Sequence, residues 1–361
     1  MQSQHSPHVP DLHVPDPARP AGPAGPARGT ALRRALAALV LGVLALPLAA
    51  VAAPASAASS YVVAPWGSDS AAGTWAHPFR TLTRGMKALR AGGTLVVRGG
   101  TYRERVKLRP AKGTATRRIT VRAAEGEDPV VRGVLWLTGA DYWTLRNIDV
   151  TWSAANRSNE HMVKMSGGVG WRIADAQIWG ARSYAAILVT GRPRGWKIDH
   201  SWIHDTYRTH TVNQDHLIYV NAGMGGGVIE RNVLSRSANG RGIKVGPSSP
   251  SAGAVGNVVI RYNTFYDNRG PSNVQLSYGA SRVRIYRNIF VRSGYGKPNV
   301  TTYRLSGYGN VVADNVGWAS TRVVYPARGL RNAGGNVKIN PYLGWGYSPG
   351  SARVRGYGRF G

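Results

Sequence analysis

The sequence predicts an all-β fold of stacked coils, because strand-like segments recur along its 361 residues. Six segments alternate apolar and polar residues and begin 25, 31, 31, 25 and 27 residues apart. They are WRIADAQI (171–178), WKIDHSWI (196–203), GVIERNVL (227–234), VVIRYNTF (258–265), VRIYRNIF (283–290) and NVVADNVG (310–317). A propeller blade needs about 40 residues, and a sandwich has no such period. The pattern therefore predicts a solenoid, a right-handed parallel β-helix.

Two further columns support the repeat. One is a set of asparagines at a shared position, which suits a repeated sharp turn because asparagine tolerates left-handed backbone and can bond neighbouring amides. Its members are Asn232, Asn263, Asn288 and Asn315. The other is a second set of short strands, one in each coil. Its members are VKMSG (163–167), ILVTG (187–191), IYVNA (218–222), IKVGP (243–247), VQLSY (274–278) and YRLSG (303–307).

The N-terminal part has the features of an export signal. In residues 31–57, Arg33 and Arg34 precede a long apolar run, and small residues at Ala55 and Ala57 frame an A-x-A cleavage site. We expect cleavage near Ala57 and a secreted product, with residues 1–30 a Pro-rich disordered tail. An apolar run of this length can also serve as a membrane anchor, but Pro47 and its small-residue end favour cleavage.

The composition limits the classes of partner. The chain has 46 Lys and Arg against 17 Asp and Glu, a formal net charge of +29, and only 8 of its cations are lysines. Such a charge predicts affinity for polyanions. The arginines are scattered along the chain, which argues against a nucleic-acid-binding tail. The sequence contains no cysteine, so thiol catalysis and thiolate metal sites are excluded.

The start of the predicted mature chain resembles a known family. Residues 61–108 contain GSDSAAGT, HPFRTL and GGTYRERV, and with the coil repeats they resemble secreted pectate-lyase-like β-helix proteins over about 60–325. That superfamily includes lyases, hydrolases, epimerases and non-enzymes. Independently of the resemblance, PFRTLTRGMKALRAGG reads as an amphipathic capping helix that ends at Gly92 and Gly93. The predicted divisions are 1–57, a cap with the first coils at 58–115, a β-helix at 116–325, and a C-terminal cap or tail at 326–361.

The second set of strands presents a row of outward side chains. If apolar neighbours such as Ile243 and Val245 point inward, the residue between them points out. The outward residues are then Lys164, Leu188, Tyr219, Lys244, Gln275 and Arg304. Because coils stack about 4.8 Å apart, the last four of these form a polar row about 15 Å long, which suits a sugar chain.

The family resemblance gives this row a chemical interpretation. β-Helix polysaccharide lyases abstract the proton α to a uronate carboxylate with a Lys or Arg base, so we expect Lys244 to be the base and Tyr219 the proton donor. Nearby positive charge can lower a lysine pKa toward working pH. Arg304 and Arg241 are expected to neutralise the carboxylate, and Lys164 and Gln275 to hold further sugars.

A second candidate site lies in IDHSWIHDTYRTHTVNQDHLIYV, residues 198–220, which mixes histidines and aspartates. It offers either a His general acid or base beside Tyr219, for which His216 and His210 are candidates, or a carboxylate-rich Ca²⁺ site with Asp215 and Asp205. A glycosidase that uses Asp199, Asp205, Asp215 or Asp267 is a further alternative, although these residues are spread over turns.

The sequence thus predicts a secreted, monomeric polysaccharide lyase that cleaves an acidic, uronate-containing polysaccharide by β-elimination. The alternatives are a non-catalytic β-helix that binds carbohydrate or the cell envelope, and a glycoside hydrolase of the same fold. The predicted partner is an acidic polysaccharide. No nucleic acid is expected as a partner, nor a membrane after cleavage of the signal.

Overall fold

A computed structural model describes residues 59–157, 160–207 and 215–361 of the chain. The predicted signal segment, its cleavage site and His210 lie outside these ranges. Within them the chain forms three long parallel sheets, which we name A, B and C in the order in which each coil passes through them. This arrangement is the parallel β-helix that the repeat predicts. No helix in the described ranges is long and apolar enough to cross a membrane.

Sheet A has eleven strands, numbered, as are all strands, in chain order. They are β1 (Ser60–Val63), β2 (Thr94–Val97), β5 (Ile119–Ala123), β8 (Trp143–Arg146), β11 (Arg172–Ala174), β14 (Trp196–Asp199), β17 (Gly227–Glu230), β21 (Val258–Arg261), β25 (Arg284–Tyr286), β28 (Asn310–Ala313) and β30 (Leu330–Asn332). The six segments of the first predicted set each contribute one strand to this sheet.

Sheet B has ten strands. They are β3 (Gly100–Tyr102), β6 (Pro129–Arg132), β9 (Asp149–Thr151), β12 (Gln177–Trp179), β15 (Trp202–Thr206), β18 (Val233–Ser237), β22 (Thr264–Asn268), β26 (Ile289–Ser293), β29 (Val316–Trp318) and β31 (Val337–Lys338).

Sheet C has eight strands. They are β4 (Arg105–Leu108), β7 (Val134–Thr138), β10 (Val163–Ser166), β13 (Ala185–Thr190), β16 (His216–Asn221), β19 (Ile243–Val245), β23 (Val274–Ser277) and β27 (Val300–Tyr303). A small separate pair is formed by β20 (Val255–Gly256) and β24 (Ala280–Ser281). Short 3₁₀ turns cover Gly294–Gly296, Trp345–Tyr347, Ala352–Val354 and Gly358–Phe360.

The core lies inside the solenoid, where the inward side chains of the three sheets meet. Trp171 and Trp196, each at the start of a coil, are fully buried and stacked with ring centres 5.4 Å apart. Trp143 is buried in the coil before them. Aromatic rings stacked in this way bury large apolar areas in register from coil to coil, so these tryptophans belong to the core.

The asparagine column forms the corner between sheets A and B. Asn263 is fully buried, and its side-chain oxygen accepts hydrogen bonds from the main-chain and side-chain amides of Asn232. Asn288 accepts in the same way from Asn263, so the pattern repeats from coil to coil. The column is confirmed, but the left-handed residue is the one before each asparagine, as at Arg231 (φ 56°) and Arg287 (φ 55°).

One helix, α1 (Leu82–Ala88), packs against β1, β2 and β4 at the N-terminal end of the solenoid. Thr81 caps it by accepting from the amide of Arg84, and the Glu104 carboxylate accepts from the amides of Leu82 and Thr83. The helix ends at Ala88, short of the predicted Gly92, because the chain becomes extended at Leu89, whose side chain is fully buried.

Residues 339–361 lie along the outer face of sheet B. Tyr347 contacts the rings of Trp202 and Tyr266 and accepts a hydrogen bond from Arg236, and the amide of Arg359 donates to Thr264. The sequence predicted a C-terminal cap or tail over residues 326–361. Residues 339–361 instead contact strands β15, β18 and β22 and, through Val354, β26 and β29, because the side chains on that face offer apolar area to cover.

Candidate functional site

The outward row of sheet C is continuous over eight coils, and we call it the C row. Pairs of Cα partners link its members from each strand to the next. In chain order they are Lys107, Trp136, Lys164, Leu188, Tyr219, Lys244, Gln275 and Thr301. Ile243 and Val245 beside Lys244 are fully buried, while Lys244 is half-buried. The strand phase predicted for Tyr219, Lys244 and Gln275 is therefore confirmed.

Arg304 is not on the C row, contrary to the predicted alignment. Val300 pairs with Val274, so Thr301 occupies the position beside Gln275. Arg304 follows the end of β27 with φ at 45° and is exposed, and its guanidinium lies 5.6 Å from the Tyr303 ring. Tyr303, expected to point inward, is 46% exposed. The predicted register was wrong by three residues. The segments VTTY at 300–303 and YRLS at 303–306 can both be read as strands whose alternate residues point inward.

Lys244 and Tyr219 form the centre of the candidate site. The Lys244 ammonium lies 4.7 Å from the centre of the Tyr219 ring. Burial and, secondarily, the charge of Arg241 lower the pKa of Lys244. Burial, with a smaller contribution from Tyr278, raises the pKa of Tyr219 to about 12. The phenol oxygen is buried and has no hydrogen-bond partner within the described ranges.

Arg241 and His216 lie beneath this pair. Both are almost fully buried, and His216 Nδ1 accepts a hydrogen bond of 3.1 Å from the Arg241 amide. Burial, then the charges of Arg241 and Lys244, hold the pKa of His216 well below its usual value, so the ring is neutral. With Nδ1 an acceptor, the proton sits on Nε2, an atom buried without a partner among the residues described.

A glycine allows the close approach of these two residues. At Gly240, just before Arg241, a Cβ atom would lie 2.5 Å from the amide nitrogen of His216. A larger residue would push the Arg241 segment away from β16. Burial lowers the pKa of Arg241 to about 10. The guanidinium was expected at the surface, and the structure makes it a buried positive charge behind Lys244.

Lys164 lies farther along the C row, beside an aromatic ring. Its ammonium is 5.1 Å from the Trp136 ring, and that of Lys107 is 3.8 Å from the same ring. Glu160 accepts from Lys107 at 2.8 Å and from Arg105. Lys107 and Trp136 were not among the predicted site residues, although ERVKLRP and VLWLT show the same alternation of apolar and polar residues as the later strands.

Gln275 continues the C row on the other side of Lys244. It is 7% exposed and pairs with Lys244 on one side and with Thr301 on the other. The Thr301 hydroxyl donates to Ser272 at 2.8 Å. These uncharged groups can donate and accept hydrogen bonds beside the cation.

The two aspartates proposed as metal ligands lie in sheet B and just before a strand of sheet C. Asp205 lies in sheet B, where Arg236 and His204 contact its carboxylate at 2.6 Å. Those hydrogen bonds lower its pKa, although burial alone would raise it. Asp215 is buried before β16 and accepts through its carbonyl from Thr206. Within the described ranges, no group of three or more His, Cys, Asp or Glu side chains could hold a metal ion.

The aspartates proposed for hydrolysis are also separated. Asp199 is fully buried in sheet A and paired with Arg172, whereas Asp205 and Asp267 belong to sheet B. Asp215 precedes a strand of sheet C. A two-carboxylate mechanism needs both groups on one sugar ring. Asp199, buried and paired with Arg172, does not meet that need, and hydrolysis by the other aspartates stays an alternative.

Known proteins share the fold and part of the sequence. The sequence model of the Pel9A-like right-handed β-helix region matches residues 61–183. Pectate lyase PEL9 of Emericella nidulans is 30% identical over 118 residues, which cover 27% of this chain and 29% of that protein. The uncharacterized protein YwoF of Bacillus subtilis is 41% identical over 71 residues, which cover 20% of this chain and 15% of that protein.

A solved structure of XylC with xylose has a TM-score of 0.56 at 16% identity, and the match covers 78% of this chain and 68% of that one. At this identity the likeness shows the fold alone. The chain has the right-handed parallel β-helix fold that the sequence predicted, and its residues 61–183 are similar to the Pel9A-like β-helix region. It matches both curated relatives over less than a third of their own length.

Proposed function

We propose that this protein is a secreted lyase that cleaves an acidic, uronate-containing polysaccharide by β-elimination. One observation carries the proposal. Lys244, a half-buried lysine whose pKa is lowered, lies directly against Tyr219, whose raised pKa keeps it protonated. A base and an acid are thereby adjacent on one outward row, which is the pair that β-elimination requires.

The proposed reaction has two proton transfers. The neutral amine of Lys244 removes the proton α to the uronate carboxylate, and the electron pair is delocalised into the carboxylate. That pair then forms the ring double bond while the bond to the leaving sugar oxygen breaks. Tyr219 gives its proton to that oxygen. Lys244 then releases its proton to solvent and Tyr219 takes one up from solvent, which restores both groups. No oxidant or reductant is needed.

Positive charge behind the pair would stabilise the doubly negative intermediate. Arg241 is buried next to Lys244 and contributes to its lowered pKa. Preorganised charge in a site shielded from water is worth more than the same charge at the surface. His216 offers a buried Nε2 donor, and Gln275 and Lys164 supply contacts for sugars on either side. No step uses a metal ion.

The comparisons support an activity of this general kind. The Emericella nidulans relative is named a pectate lyase, and the matched model describes a Pel9A-like β-helix. The net charge of +29 favours an anionic polymer over a neutral one. We further propose that the protein acts as a secreted monomer and needs no nucleic acid or membrane partner.

The test incubates the protein with polygalacturonate, alginate and rhamnogalacturonan and follows the ultraviolet absorbance of unsaturated uronides. We expect absorbance to rise with at least one polymer and Lys244→Ala to abolish the rise. Lys338→Ala, an exposed lysine in β31, is the matched control and should retain activity. Binding without a rise would favour the non-catalytic alternative, and reducing ends without a rise would favour hydrolysis.

A further inference from the structure

A groove unrelated to the C row crosses the outer face of sheet B. It consists of two cavities of 480 and 330 Å³ that share Trp179 as a lining residue. Trp202 lines the larger cavity, and Trp152 and Tyr207 line the smaller. Volumes of this size are typical of sites for small ligands. Arg359, from the C-terminal segment, forms one wall of the larger cavity.

Stacking on His204 holds two aromatic rings of the groove, Trp179 and Trp202, in position. The rings of Trp179 and His204 are parallel within 5° with centres 6.1 Å apart, and His204 stacks on Trp202 at 3.9 Å. His204 is itself buried and bonded to Gln177 and Asp205. The Trp202 indole nitrogen donates to Ser235. Rings immobilised before binding lose little conformational entropy when a ligand arrives.

Polar groups lie beside the rings. Asp149, Gln177 and Trp202 come from three successive strands of sheet B, and all line the larger cavity. Asp149 accepts from the Gln177 amide at 2.7 Å, and burial and the charge of Asp128 raise its pKa to about 6. Asp175 pairs with Arg146, and Arg359 adds positive charge. Charges of both signs therefore face the cavity.

We propose that this groove binds a short segment of neutral polysaccharide, with Trp179 as the central stacking platform. Neutral sugar rings have apolar C–H faces that pack on indole and hydroxyl edges that bond to carboxylate and amide oxygens. The lining carries three carboxylates, from Asp128, Asp149 and Asp175, and three guanidiniums, from Arg132, Arg182 and Arg359. These charges balance, so the groove has no net charge that favours a uronate, and we expect it to take a different sugar class from the C row. The inference goes beyond the proposed lyase function and does not depend on it.

The test is calorimetric titration of the full chain with xylohexaose, cellohexaose and mannohexaose. We expect at least one to bind, and Trp179→Ala to weaken it about tenfold or more. Trp179→Phe, which keeps an aromatic face, should retain most of the affinity. Trp345→Ala is the matched control, since Trp345 is 98% exposed and outside the groove.

Two results would overturn the proposal: none of the three oligosaccharides binds the unaltered chain, or folded Trp179→Ala and Trp179→Phe both bind as tightly as it does. Because the measurement uses neutral sugars without turnover, it is independent of β-elimination. Lys244→Ala is therefore expected to bind the same oligosaccharide within about twofold of the unaltered chain. A loss in that variant would place the binding on sheet C and also contradict the proposal.

Discussion

The Lys244 ammonium lies 4.7 Å from the centre of the Tyr219 ring, and the two residues are Cα partners on adjacent strands of sheet C. Backbone register thus fixes their proximity, and neither side chain has to reorganise to meet the other. The same burial lowers the pKa of the amine and raises that of the phenol, because each group loses the solvation of its charged form.

This relationship predicts the pH dependence of turnover. The active form has a neutral amine and a protonated phenol, so kcat should rise with pH through the lowered pKa of Lys244 and fall near the Tyr219 pKa of about 12. Arg241→Gln removes a charge that lowers the pKa of Lys244, so its ascending limb should move to higher pH. An unshifted limb would mean that Lys244 does not control it.

Removing the phenol should separate catalysis from stability. Tyr219→Phe deletes an oxygen that is buried without a partner in the described part of the chain, so the free energy of unfolding should change by less than about 1 kcal/mol. Because the leaving oxygen loses its acid, kcat should fall roughly 100-fold or more. Urea denaturation and the uronide assay measure the two effects, and an unchanged kcat would assign the proton to another donor.

The asparagine column should be a major source of stability. Asn263→Ala leaves the buried amide of Asn232 and the buried carbonyl of Ile229 without their bonds. We expect the free energy of unfolding to fall by roughly 3 kcal/mol or more. Asn332→Ala, at the exposed end of strand β30, should cost less than about 1 kcal/mol. Equal losses in the two variants would contradict a special role for the column.

His161 should make the fold sensitive to mild acid. Burial lowers its pKa to about 4, and its Nδ1 has no partner among the described residues. Below the unfolded pKa of about 6.5 the unfolded chain takes up a proton that the folded chain refuses, so stability falls as pH falls from there toward about 4. We expect roughly 2 kcal/mol to be lost between about pH 7 and pH 5.

The control for this prediction is a pair of variants studied by urea denaturation at both pH values. His161→Leu should reduce the difference between the two pH values, whereas His77→Gln, at an exposed position, should leave it unchanged. If His161→Leu keeps the full difference, other groups cause the acid sensitivity.

The repeat and the strand phase were predictable because they are local. Ile243 and Val245 are buried and Lys244 is half-buried, as simple alternation requires, and the asparagine column follows from the shared position of its members in each repeat. The register of the last coil was not predictable. Two overlapping segments alternate equally well there, and only tertiary pairing with Val274 selects the strand that begins at Val300.

How deeply a side chain is buried was the second property that could not be predicted from the sequence. Arg241 was expected at the surface because arginine usually lies there. It is buried because Gly240, just before it, packs closely against the main chain of His216. The groove on sheet B was not predicted, for a related reason. Trp179 and Trp202 lie on different coils, and the segment that bears Arg359 is distant in sequence from both.

The C-terminal segment changes how the solenoid can open. In most solenoids each coil touches only its neighbours, so an end can unravel one coil at a time. Here Tyr347 bonds to Arg236, and the carbonyl of Gly361 accepts from Arg231. The chain therefore returns to coils formed more than a hundred residues earlier, and unravelling from this end must first break that closure. These contacts of the C-terminal segment therefore make unfolding more cooperative than contacts between neighbouring coils alone would.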